Sequence, residues 1–215
     1  MKMNTACRLM NTTKLRKLTN LYNRKRSNME DIKANELEFK NIVKQNISRD
    51  GINELMAWLD TTDFYKAPAS ARYHGAVPGG LCAHSLETYR YLKSFQEEES
   101  DETIAIVSLF HDLCKANLYK ESFRNVKNED GQWERKPCYE YDDSFPMGHG
   151  EKSMYFIMKY MKLTDEEAMS IRFHMGGYLA LNPGETQALS TALRMYKLVL
   201  KVQTADQCAA FWSNK

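Results

Sequence analysis

The chain has 215 residues, 43% of them hydrophobic and 27% charged, with a formal net charge of +2. That length suits a single domain with a substantial core, and the composition is that of an ordinary soluble globular protein. No apolar run approaches the roughly 20 residues that span a bilayer, so a membrane helix is excluded and a cytoplasmic protein is expected.

The charge is unevenly spread. Residues 1–28 hold Lys2, Arg8, Lys14, Arg16, Lys17, Arg24, Lys25 and Arg26 and no acid, so this segment is +8 and the rest of the chain is −6. A basic, acid-free segment suits a nucleic-acid-binding arm or a transit peptide. A flexible, dispensable extension is the plainer expectation, because Met29 directly precedes the first acidic, helix-like stretch. The five cysteines (Cys7, Cys82, Cys114, Cys138, Cys208) form no CxxC pair, which argues for reduced thiols rather than a disulfide framework.

Residues 29–215 read as one domain. ELEFKNIVKQNIS places Leu37, Ile42/Val43 and Ile47 near a helical period, and Arg49-Asp50-Gly51 breaks it. Ile52 to Leu59 is a second short amphipathic helix. Residues 65–81 are rich in Gly, Pro and small residues and form a loop. A helix from about Cys82 to Glu98 follows, and Ser100 or Asp101 caps the next, which is predicted to run to about Lys115. Residues 119–142 leave the helical habit: aromatic and β-tolerant arms flank Asp130-Gly131, a hairpin signal. Gly148-His149-Gly150 leads into the helix SMYFIMKYM. Thr164 and Glu167 form a capping box opening a helix that reaches His174, and one long helix is expected from Glu185 to about Ala210. The fold class is therefore all-α, a helical bundle with an inserted β-hairpin.

Of five histidines, His84, His111, His149 and His174 fall on or at the mouths of separate predicted helices. His111 is joined to Asp112 behind the apolar run IAIVSLF, and Asp206 is an acid among alanines on the last helix. Helical bundles build metal sites from one inward ligand per helix, and imidazole with carboxylate suits Mn, Fe, Ni, Co or Zn. A bare carboxylate at the end of a buried helix is costly unless a cation neutralises it. The bland alternative is a set of hydrogen-bonded core histidines. Lys115 has its own plain reading, an exposed cation favoured at a helix C-terminus.

The ordered set His84, His111-Asp112, His149, His174, Asp206 resembles the HD-domain metal-dependent phosphohydrolases, in their two-metal subgroup. GGLCAHSL is also similar to the first-ligand helix of HD domains in bacterial 3′-5′ exoribonucleases and related small hydrolases. The resemblance covers about residues 60–210. It implies that His84, His111, Asp112 and Asp206 hold one ion, that Asp112 bridges, and that His149 and His174 complete a second. Mg is a further candidate ion. It also implies a bridging water as nucleophile and catalytic roles for Asp112 and Lys115, with Lys115 at the HDxxK lysine position contacting substrate phosphate. Arg72, in the loop before the first ligand helix, is a candidate phosphate ligand. The substrate expected from this resemblance is a small phosphorylated compound, a nucleotide or short oligonucleotide. The same six ligands also suit a mixed-valence di-iron oxygenase, or a non-catalytic nucleotide-binding regulatory module. Walker, Rossmann and Ser-His-Asp patterns are lacking.

Overall fold

The structure, a computed structural model, describes residues 29–95, 98–178 and 182–212. The basic segment 1–28, with its nucleic-acid-binding expectation, lies outside the described residues. What is described is mostly helical, with one two-stranded antiparallel sheet. No helix in it is long and apolar enough to cross a membrane.

Helix α1 (residues 29–46) buries Phe39 and Val43, and Ile47 follows in line at the same four-residue step, whereas Leu37 is exposed. Gly51, at φ 90°, turns the chain into α2 (Ile52–Leu59), which ends where expected. Next come α3 (Gly80–Ser94), α4 (Asp101–Leu109), α5 (His149–Met158), α6 (Asp165–Arg172), α7 (Pro183–Met195) and α8 (Lys197–Trp212). α3 packs against α4 and α8, while α6 packs against α5, α4 and α8. Ile104 to Phe110 are all buried, so the apolar run is core throughout.

Several boundaries differ from expectation: α5 starts earlier, at His149, and α6 ends at Arg172, short of His174. α3 spans Gly80–Ser94 rather than Cys82–Glu98. α4 stops at Leu109, and only a 3-10 turn, Leu113–Lys115, follows, so His111-Asp112 lies in the break between two helices. The long C-terminal helix is two helices, separated at Tyr196, which adopts an extended conformation (φ −129°, ψ 109°) and packs with Phe173, Ala192 and Val199.

The hairpin forms as expected from strands β1 (Tyr119–Lys127) and β2 (Trp133–Tyr141), paired from Tyr119↔Tyr141 to Lys127↔Trp133. Gly131, at φ 77°, closes its turn. Its aromatic arms, for which the plainer reading of the sequence is packing over the bundle and the alternative a lid or base-stacking edge, do not pack over the bundle. β1 and β2 contact mainly each other, and Phe123, Trp133 and Tyr141 are 56%, 69% and 68% exposed.

Candidate metal centre

Two glycines bring the histidines together. A Cβ on Gly150 would lie 2.0 Å from the Arg172 carbonyl oxygen, so only glycine lets the start of α5 press against the end of α6. That approach sets the rings of His149 and His174 5.0 Å apart. Likewise, a Cβ on Gly80 would lie 2.1 Å from the Gly75 carbonyl oxygen. The 65–79 loop thereby lies on α3, and the His74 ring lies 4.9 Å from that of His84, tilted by 45°.

Asp112 is the hub. Its Oδ2 faces Lys115 Nζ at 2.7 Å, His111 Nε2 at 3.4 Å and His84 Nε2 at 3.7 Å. Its Oδ1 faces His149 Nε2 at 3.0 Å and His174 Nε2 at 3.4 Å. Asp206, from α8, closes the first group, its Oδ1 lying 2.8 Å from His84 Nε2 and 3.7 Å from His111 Nε2. The six residues named for the metal site thus converge. All are buried except His149, whose side chain keeps 25% exposure and marks the open edge.

Whether the donors suit a cation follows from the ring tautomers. His111 Nδ1 donates to the Ser108 carbonyl at 2.7 Å, and His174 Nδ1 donates to the Ile171 carbonyl at 2.7 Å. Both carbonyls are free because α4 and α6 end just beyond them. Assigned this way from the hydrogen-bond network, each Nε2 carries a lone pair directed at a carboxylate oxygen. The Nε2 of His174 is buried without a hydrogen-bond partner. Acceptors facing acceptors in a buried site leave a place that a cation can fill. Donors about 2.1 Å from one ion and 90–110° apart lie roughly 3.0–3.4 Å from each other, close to the separations here. Three groups bring their donor atoms within 4.8 Å of one another: His84-His111-Asp206, His111-Asp112-His174 and Asp112-Cys114-His149. These buried side chains can hold metal.

Electrostatics agree. Burial opposes ionisation of Asp112, but the Lys115 ammonium 2.7 Å away outweighs it and holds the carboxyl well below its usual range. Burial likewise opposes ionisation of Asp206, and His84 reverses the balance. Burial works against the Lys115 charge, while Asp112 raises its pKa above the ordinary value. Burial lowers the pKa of His149 despite Asp112.

Comparison with protein-family models, with curated proteins and with solved structures finds no match. The donor set therefore carries the functional reading by itself. Lys115 is not the exposed helix-terminal cation of the plain reading: it is 8% exposed and ion-paired. Arg72 is exposed in its loop and joins none of the contacts described.

Two neighbours complete the surroundings: Cys114, which the sequence reading does not single out, and His74, which it places with Arg72 in the loop before the first ligand helix. Cys114 Sγ lies 3.2 Å from His149 Nδ1, and burial pushes its thiol up to about 12. His74 Nε2 is buried with no partner beside His84, and burial brings this imidazole down to about 4. A histidine in a Gly/Pro-rich loop gives no periodicity to place it. Only its short spacing from GGLCAHSL hints at the contact.

Lys115→Met tests the charge balance. Stripped of metal, this variant leaves a buried carboxylate uncompensated and is expected to lose about 3–5 kcal/mol of stability in urea melts with chelator. Added Mn should recover most of that loss. An equal loss with and without metal would reduce Lys115 to a purely structural role.

Proposed function

We propose that the protein is a metal-dependent phosphohydrolase of the HD-domain type, acting on a phosphoester of a nucleotide or short oligonucleotide. One observation carries the reading: the two oxygens of Asp112 face two different histidine groups, with Lys115 at the same carboxylate. His84, His111, Asp206 and Asp112 Oδ2 would hold one divalent ion, and His149, His174 and Asp112 Oδ1 a second. Such ions, when bound, supply Lewis acidity toward a phosphoryl oxygen and lower the pKa of water.

The remaining work falls to the chain's own residues. Hydrogen bonds to Ser108 and Ile171 lock two of the rings, so that donor positions need not reorganise during turnover. Once metal charge satisfies Asp112, the Lys115 ammonium is free to meet a substrate phosphate oxygen. The partly exposed edge of His149 is the side from which a phosphate group enters. Arg72 stands in the loop that continues to His74 and offers a second cation for the phosphate.

The test pairs metal analysis with turnover. Protein purified without chelator should carry close to two Mn, Fe, Ni or Co per chain by mass spectrometry. It should also hydrolyse bis(p-nitrophenyl) phosphate or a 3′,5′-linked dinucleotide. Oxygen uptake with a mixed-valence iron signal and no ester cleavage would replace this reading with an oxygenase. Failure to bind any metal would leave a non-catalytic module.

A further inference from the structure

The β1–β2 ribbon stands clear of the bundle, so no core dictates which of its residues share a face. The register nevertheless sorts them sharply. Tyr119, Phe123, Trp133, Tyr139 and Tyr141 all lie on one face, with Lys127, Arg135, Asn125, Pro137 and Glu121. The other face has no aromatic residue at all.

The rings and cations on this face are organised together. Arg135 lies 4.4 Å from the centre of the Phe123 ring, and Lys127 lies 5.3 Å from that of Trp133. Tyr119 and Tyr141 meet at 5.1 Å at the base of the ribbon. That base adjoins the His-Asp cluster in the chain, because β1 starts four residues after Lys115.

We infer that this face binds single-stranded nucleic acid, its rings stacking on bases while Lys127 and Arg135 meet phosphates. The direction of the strand, toward Asp112, rests on the phosphohydrolase reading above; the binding does not. Stacking needs only an exposed π face, which a flat ribbon offers without a groove. Same-face residues repeat about every 6.8 Å along a strand, twice the 3.4 Å per nucleotide of duplex, so an unstacked strand is the form that matches. The cations set the charge complementarity: two on this face against one acid, Glu121, with Glu129 and Asp130 off it in the turn.

The test is a fluorescence anisotropy titration of a labelled dodecathymidylate with the full chain in chelator, where no cleavage occurs. Binding is expected to weaken roughly sevenfold from about 50 to 200 mM salt, as two phosphate contacts on a single strand imply. Phe123→Leu and Trp133→Leu, which keep apolar bulk but remove the ring, should each weaken it about fivefold or more. Val126→Ala, on the opposite face, should leave it unchanged. No binding, or binding indifferent to Phe123 and Trp133 and therefore carried by the basic residues 2–26, overturns the inference. Hydrolysis of bis(p-nitrophenyl) phosphate needs no ribbon and separates the two readings. Ring-dependent binding without ester cleavage keeps the ribbon and removes the hydrolase. Cleavage without ring-dependent binding does the reverse.

Discussion

Asp112→Ala is expected to empty the centre completely, from about two ions per chain to none, and to lower phosphoester hydrolysis at least about a thousandfold. Metal stabilisation of developing charge is worth several kcal/mol, and each 1.36 kcal/mol is a factor of ten. The size of the effect follows from geometry. Asp112 is the one residue whose two oxygens face both histidine groups, at 3.4 and 3.7 Å on one side and 3.0 and 3.4 Å on the other. His149→Ala should instead remove one ion and spare the other, since His84, His111 and Asp206 still converge. The alanine variant also strands Lys115 in a buried site, so Asp112→Asn is the companion: it retains shape and hydrogen bonding but cannot bridge two cations as a carboxylate does. Metal analysis of all three proteins, beside circular dichroism, decides. If Asp112→Asn keeps two ions, Asp112 is no bridge and the reading of a carboxylate-bridged centre fails.

Sequence alone carried some of this well. The capping box at Thr164 and Glu167 forms as expected, as do the glycine-closed hairpin and α2, because each is set by contacts within a few residues. The convergence of six metal-ligand candidates was legible from their order and from the improbability of a His-Asp pair ending a buried run. The local geometry of that pair was not legible. α4 ends before His111, and no Gly or Pro announces the stop; the freed Ser108 carbonyl takes up the imidazole instead. The kink at Tyr196 is equally silent, since it is set by packing against Phe173 and Val199, residues distant or merely neutral in helix propensity. The contacts of His74 with His84 and of Cys114 with His149 were not legible for a related reason: such contacts have no sequence period. The free-standing ribbon shows the limit from the other side. Alternation in a strand normally reports a buried face, and here it reports an exposed one.

Glu167→Gln is expected to destabilise the protein by roughly 3 kcal/mol, the lower end of the 3–5 kcal/mol found when a buried ion pair loses one partner, because Arg49 keeps 20% exposure and Glu102 as a second partner. Both Glu167 oxygens are fully engaged. Oε1 accepts from Arg49 Nη2 at 3.0 Å and Thr103 Oγ1 at 2.9 Å; Oε2 accepts from Arg49 Nη1 at 2.5 Å and the Thr164 amide at 2.9 Å. Burial opposes this charge, and the Arg49 and Thr164 hydrogen bonds reverse the balance, so Glu167 titrates below its ordinary value of 4.5. A depressed carboxylate contributes stability that is complete above the unfolded value and lost as pH falls through the folded one. The gap between the two proteins in urea should therefore be constant from neutral pH to about 5 and close progressively below 4.5. A gap that persists unchanged at pH 3 would mean that the carboxylate charge is not what stabilises the site. The network matters beyond its own energy because it joins the α1–α2 corner to the first turns of α4 and α6, and those helices deliver His111-Asp112 and His174. At neutral pH and low temperature, where Glu167→Gln remains folded, it should still bind two ions. Loss of the second ion under those conditions would show that this clamp, and not the local hydrogen bond to Ile171, sets the position of His174.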